Sequence, residues 1–325
     1  MSDPGLELAQ RIMGFMVSAA VYVAAKLDVA GVLGDRTLAV DELADATRSD
    51  VDALYRVLRL LAAHGIFVEA GDRSFANTES SRLLGGDFRD FALVFGEEFY
   101  PAFNELLRTV HDRTPAFEAF AGKSYYEYLA ADPDASTRFN RFMAAGKAIH
   151  AEHLAAAGWR GGETVIDVGG GNGALLIGLL ERRPDLRGVV FDLPHVTPEA
   201  EERVRIAGLT ARCQVVAGDF FEGVPPNADA YVLSAILHGW DRDGAAKILQ
   251  NVRRAIAADG RVFLFESVVA PPNEAGGKLM DVLMLAVSGG RERTEDEWKV
   301  LLRDTGFELV GIAPPPAAVL EAVPR

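Results

Sequence analysis

At 325 residues the chain is too long for one ordinary domain, and its composition, 49% hydrophobic and 25% charged, is that of a folded globular protein. A formal net charge of -14 argues against DNA or RNA as the main partner, because a nucleic-acid binder presents a basic face. The single cysteine, Cys213, excludes an internal disulfide and any cysteine-rich zinc site, and its apolar, strand-like context makes it a small core residue.

Residues 5–30 carry the first helical pattern, with Leu6, Ile12, Met13, Phe15, Met16, Ala20, Val23, Ala24 and Leu27 among apolar residues that nearly circle the helix. A helix apolar all round is buried, and burial near the start of the chain predicts a partner subunit. No basic segment followed by an apolar run and a cleavage site precedes it, so a signal peptide is not expected. The apolar run Met13–Val29, interrupted by Lys26 and Asp28, falls short of the roughly 20 residues of a membrane span. A cytoplasmic location is the expectation.

Residues 37–83 predict a small helical module: a short helix over Val40–Ala46, a second over Val51–His64 capped by Ser49 and ended by Gly65, then a hairpin of strands 66–69 and 74–77. Helix, turn, helix, hairpin is a winged-helix outline. Its second helix offers only Arg56 and Arg59 beside Asp50 and Asp52, which favours a structural or dimerisation role over DNA binding. Residues 88–156 are mostly helical and rich in aromatics, Phe139 and Phe142 among them, some for the core and some for an aromatic pocket. His150 and His153 lack the spacing and third ligand of a zinc site and are expected as a solvated or pocket-edge pair.

From Gly158 onward strands alternate with helices. The strands are expected at 164–168, 188–192, 212–216, 230–235, 261–266 and 307–312, and the alternation predicts a mostly parallel, doubly wound sheet. The run Pro314-Pro315-Pro316 reads as a rigid link. Three compact segments follow from this pattern: 1–95 helical and winged-helix-like, 96–157 linking helices that contribute to a pocket, and 158–325 the sheet domain.

The first of these strands runs into Asp167-Val168-Gly169-Gly170-Gly171-Asn172-Gly173 and then a helix. The glycines allow tight turning and close approach to a ligand at the strand end. Their spacing differs from the dinucleotide fingerprint, and Asp167 would repel a pyrophosphate while suiting a ligand that carries an ammonium and a sulfonium. The loop resembles that of S-adenosylmethionine (SAM) methyltransferases. Asp192 closes the second strand, where an acid accepts ribose hydroxyls, with Leu193 beside it. After the third strand, Asp219 can take the adenine amine and Phe220 can face its ring. After the fourth, His238 stands as a neutral imidazole able to take a proton from a hydroxyl, with Glu266 and Glu292 placed to orient it and steady its charge.

Taken together, V-I-D-V-G-G-G-N-G, F-D-L-P, G-D-F-F, L-H-G-W, F-E-S-V and G-G-R-E-R-T-E-D-E-W resemble, in order and over essentially the whole chain, the plant-type small-molecule O-methyltransferase family, including bacterial members that modify aromatic natural products. The resemblance implies an α/β fold, a Rossmann-like doubly wound SAM domain behind an N-terminal winged-helix-like dimerisation domain, and a homodimer. It implies SAM as cofactor and a small aromatic substrate, with no metal, nucleic acid or membrane. It implies His238 as general base flanked by Glu266 and Glu292, a cofactor site of Asp167, Gly169, Gly171, Asp192, Leu193, Asp219, Phe220 and Ser234, and an acceptor site of Phe139, Met143, Trp240, Asp281 and Met284. The chain departs from many relatives at Ser234, where they carry a basic residue toward the cofactor carboxylate and a hydroxyl contact remains, and at Gly239, where they carry Asp. Methylation at carbon or nitrogen, a non-methylating tailoring enzyme, a ligand-sensing regulator and a nicotinamide oxidoreductase are the alternatives.

Overall fold

The structure is a computed structural model that describes residues 3–86, 88–313 and 319–325. The expected proline link at 314–316 lies outside the described residues. The chain divides into two compact units, Met1–Pro101 and Ala102–Arg325. The break falls after residue 101, so that of the stretch 96–157 expected as linking helices residues 102–157 belong to the second unit.

In the first unit α1 (Pro4–Lys26) is capped by Asp3 and stopped by Asp28, whose left-handed backbone turns the chain into α2 (Val29–Leu33). A short strand β1 (Leu38–Ala39) leads into α3 (Val40–Thr47) and α4 (Val51–Ala63). Asp50, not Ser49, caps α4, its carboxylate accepting from the Ala53 N–H at 2.9 Å. The hairpin of β2 (Phe67–Glu69) and β3 (Ser74–Asn77) pairs with β1 in the order β1-β3-β2. Leu33, Leu43, Leu58, Leu61, Phe67 and Phe75 form the core. α5 (Glu79–Leu84), α6 (Phe88–Val94) and a wider turn at Phe95–Phe99 complete the unit.

α1 corrects two expectations. It is 23 residues long and, by length and apolarity alone, sufficient to cross a membrane. It is not buried all round: Ala20, Ala24 and Ala25 are buried, while Leu6, Leu8, Ile12, Met13, Phe15 and Met16 are exposed. Its small residues face the unit's own core and its large ones face away, so the first half of α1 is an apolar ridge.

The single turn α7 (Tyr100–Phe103) carries the chain into five helices: α8 (Leu106–Asp112), α9 (Ala116–Ala121), α10 (Tyr125–Ala131), α11 (Pro133–Ala144) and α12 (Lys147–Ala155). The alternating region then runs β4 (Thr164–Val168), α13 (Ala174–Arg182), β5 (Arg187–Asp192), α14 (Thr197–Ile206), β6 (Cys213–Ala217), β7 (Ala230–Ser234), α15 (Arg242–Ala255), β8 (Arg261–Phe265), α16 (Lys278–Val287), α17 (Glu295–Asp304), β9 (Phe307–Ile312) and β10 (Val319–Pro324). The sheet order is β6-β5-β4-β7-β8-β10-β9. The first five strands are parallel, and β10 runs antiparallel to both neighbours. β10 was not expected from the sequence; Val319, Leu320 and Ala322 are buried in it.

Because residues alternate across a strand, the sheet has two cores. Ile166, Val168, Tyr231, Leu233, Val262 and Leu264 pack with Ile248, Leu249 and Trp298 on one face. Val165, Val190, Val232, Phe263 and Phe265 pack with Leu154, Leu175 and Leu179 on the other. Continuing that alternation puts Asp167 and Ser234 on the second face, which α12 and α13 cover. Gly178 permits this close cover, since a Cβ there would lie 3.0 Å from the Ala151 Cβ. Gly178→Val should therefore overpack the α12–α13 contact and cost about 1–3 kcal/mol, read as a lowered urea midpoint at unchanged slope.

Candidate active site

The strand ends meet at a cleft of about 270 Å³. β4 ends in the loop where Gly169 (φ 68°), Gly171 (φ 56°) and Gly173 (φ 76°) take left-handed backbone that other residues adopt at a cost. At Gly169 a Cβ would also meet Ile236 Cδ1 at 2.4 Å. The Gly171 N–H donates to Asp192 Oδ2 at 2.7 Å, and the Leu193 N–H donates to Asp192 Oδ1 at 2.7 Å. Each carboxylate oxygen keeps a lone pair for a ligand hydroxyl. Asp219 Oδ1 accepts from the Phe221 N–H at 2.8 Å, which fixes the turn that presents Phe220. Asn251 steadies that turn by donating to the carbonyls of Phe220 and Phe221.

Asp167, Gly169, Gly171, Asp192, Leu193, Asp219, Phe220, Ser234, Phe139, Met143 and Trp240 all line this one cleft. Burial pushes the Asp167 carboxyl up to about 7; Lys147 opposes that rise and Asp192 adds to it. Burial likewise raises Asp192 above the usual carboxylate range, against the two backbone donors. A third acid, Asp219, completes an acidic row that suits a cationic nucleoside and disfavours a phosphate.

Beside this cleft a single 3₁₀ turn, Leu237–Gly239, presents His238. Its Nδ1 lies 2.7 Å from Glu292 Oε1, a charge-assisted hydrogen-bond distance, and 3.7 Å from Glu266 Oε2. Glu266 Oε1 accepts from the N–H groups of Ile236 (3.0 Å) and Leu237 (2.7 Å), so one carboxylate fixes the loop and faces the imidazole. Burial works against the charged ring, but Glu266 and Glu292 override it and raise the His238 pKa above its ordinary value. With Nδ1 engaged, Nε2 is the nitrogen left for chemistry, which fixes the tautomer by the network. His238, Glu266 and Glu292 are not themselves among the residues lining the cleft, whose wall reaches Trp240.

Two expected acceptor residues are, like His238, not among those that line the cleft. Asp281 Oδ1 accepts the Glu292 N–H at 2.9 Å, which makes it a support for the carboxylate beside His238. Met284 lies on α16 with Asp281, and neither lines the cleft. Arg293 and Lys147 escaped sequence reasoning, while Tyr126 was one of the aromatics of 88–156 expected for the core or a pocket. Buried Arg293 donates to the carbonyls of Leu237, Trp240 and Asp241 and clasps the histidine loop. Its place in R-E-R-T, next to Glu292, was the available signal. Tyr126 stacks on Trp240 with ring centroids 5.2 Å apart. A Cβ on Gly239 would lie 2.6 Å from the Tyr126 hydroxyl, so the glycine that replaces the expected Asp makes room for this ring. Lys147, at the start of α12, donates to Ser234 Oγ at 2.7 Å and to the Ser234 carbonyl at 3.2 Å. His150, one turn on, is the pocket-edge histidine, its Nδ1 3.2 Å from the same Oγ and its ring stacked on Phe265.

Residues 103–308 match the model of the O-methyltransferase domain, and residues 9–86 that of the O-methyltransferase dimerisation domain. The chain belongs to the O-methyltransferase family. Over 325 residues this methyltransferase is 38% identical to a phenazine O-methyltransferase of Lysobacter antibioticus, covering 98% of this chain and 95% of the relative. It is 34% identical to a phenazine-1-carboxylate N-methyltransferase of Pseudomonas aeruginosa, covering 92% and 91% of the two chains. Among solved structures, an O-methyltransferase from neocarzinostatin biosynthesis, in complex with SAM and 2-hydroxy-5-methyl naphthoic acid, superposes with a TM-score of 0.82 at 33% identity over 95% of this chain and 96% of that one. The methyltransferase expected from the glycine loop and strand-end acids is thus the family found.

Removal of the anion at Glu292 should lower the stability of the charged ring. In Glu292→Gln the His238 ring titration, followed by NMR, is expected to move down from its raised value toward or below 6.5.

Proposed function

We propose that this enzyme methylates a hydroxyl of a small aromatic acceptor, with SAM as donor and His238 as general base. SAM, when bound, supplies an electrophilic methyl carbon on a sulfonium that leaves as a neutral thioether. The chain's residues fit that ligand: Asp192 has lone pairs for the ribose hydroxyls, Asp219 and Phe220 suit adenine, and the open backbone at Gly171 admits close approach. The acids would repel a nicotinamide dinucleotide's pyrophosphate. Phe139, Met143, Tyr126 and Trp240 offer aromatic faces and a thioether for a flat acceptor.

The observation that carries the reading is the 2.7 Å Nδ1–Oε1 contact. Glu292 holds the ring and stabilises the charge it gains, while Nε2 takes the hydroxyl proton. An amine acceptor would need this arrangement less, because a neutral amine attacks before it loses its proton; the base and its two carboxylates favour oxygen. We place the enzyme in the cytoplasm, where SAM is made, and read the exposed ridge of α1 as the face that a second copy covers, in keeping with the dimerisation-domain match.

A panel of phenols with isotope-labelled SAM, analysed by mass spectrometry, is expected to give O-methyl products. His238→Ala should lower turnover about 10²–10⁴-fold with SAM affinity retained. In the wild type kcat/KM should rise with pH to a plateau beyond the raised His238 pKa, because only the neutral ring is a base. Full turnover by His238→Ala, or methyl groups on nitrogen or carbon alone, would refute the assignment. Ile12→Asp with Phe15→Asp should yield a monomer by light scattering where the wild type is a dimer.

A further inference from the structure

The cleft has a polarity set by strand order. Asp219 follows β6, Asp192 ends β5, Asp167 lies in β4 and Ser234 ends β7, and these strands are consecutive neighbours. With adenine at Asp219 and ribose at Asp192, the 5′ substituent runs across β4 toward β7. That substituent ends in an α-ammonium and an α-carboxylate. Asp167 answers the ammonium. Three carboxylates line the cleft, and Lys147 is its single lysine or arginine among the described residues.

Lys147 is held for a purpose its own contacts do not exhaust. Its ammonium donates twice, to the Ser234 hydroxyl and carbonyl, and its third proton has no partner among the described residues. The Ser234 hydroxyl, having accepted from Lys147, can donate its own hydrogen bond to His150 Nδ1. This order requires a neutral His150, and burial, with Lys147 and His153 nearby, pushes that ring down to about 4. The backbone that carries the lysine is fixed, because α12 is pinned to α13 through Ala151 against Gly178 and through Leu154 in the core. Burial lowers the Lys147 pKa while Asp167 and Glu266 support its charge through space; its two hydrogen bonds go to neutral serine atoms, which leaves the third proton for an anionic ligand group.

We propose that Lys147, positioned by Ser234 and His150, is the counter-ion that binds the α-carboxylate of the methionine moiety of SAM and of S-adenosylhomocysteine. The proposal rests on the SAM reading above and assigns to α12 a role the strand-end motifs do not contain.

The test is calorimetric binding of two ligands, S-adenosylhomocysteine and its decarboxylated analogue S-adenosyl-3-thiopropylamine, to the wild type and to Lys147→Met. The wild type should bind the first more tightly. In Lys147→Met the Kd for S-adenosylhomocysteine should rise about 10–100-fold, the worth of one charged hydrogen bond, while the Kd for the analogue stays within about threefold. Unchanged binding of the analogue also shows that the variant is folded. If Lys147→Met leaves the S-adenosylhomocysteine Kd unchanged, or weakens both ligands equally, the assignment is overturned while the SAM reading stands. If the wild type binds neither ligand, both fall.

Discussion

The hydrogen bond from the Gly171 N–H to Asp192 is the contact on which the site depends. It ties the loop after β4 to the end of β5, and it exists because Gly169 and Gly171 turn with positive φ where a side chain would be strained. That turn starts α13, and α13 carries α12 through a glycine–alanine contact too close for larger residues. α12 in turn delivers Lys147 and His150 to the end of β7. One backbone conformation therefore sets Asp192 and, through two helices, the cation at the far end of the cleft.

Electrostatics divide the site into two parts with opposite logic. Along the cleft, buried acids are held above their ordinary pKa and await a cationic ligand that would stabilise their charged forms. Beside it, two buried glutamates raise the basicity of one imidazole. Glu266 and Glu292 each retain an oxygen without a hydrogen-bond partner in the described residues, which keeps the negative potential on the ring undiluted. Arg293 is buried nearby, yet its nitrogens are spent on the carbonyls of Leu237, Trp240, Asp241 and Arg291, so it shapes the loop and leaves the carboxylates to the histidine.

Much of this was legible in the sequence. Periodicity placed the five parallel strands to within a residue, because each is an apolar run bounded by loop residues. That Asp167, Asp192, Asp219 and Ser234 would share one cleft was legible because they sit at strand ends, where chain order translates directly into position. β10 was hidden behind the proline run, and its burial comes from neighbours β8 and β9 that no local pattern reveals. Asp281 and Met284 were assigned to the acceptor by motif, but only coordinates show that the Asp281 carboxylate is taken by a backbone amide. Lys147 was missed because its partner Ser234 is distant in sequence, and a lysine opening a helix carries no local sign of what it faces. The α1 ridge was legible as apolar and was misread as buried, since periodicity reports a residue's preference and not what covers it.

The central claim is that the row of strand ends from β6 to β7 is a single SAM site read in one direction. A crystal structure with S-adenosylhomocysteine tests it most directly. The account predicts adenine against Phe220, both ribose hydroxyls on Asp192, and the amino-acid end between Asp167 and Lys147. A nucleoside bound in the reverse direction, or outside the cleft, would contradict it.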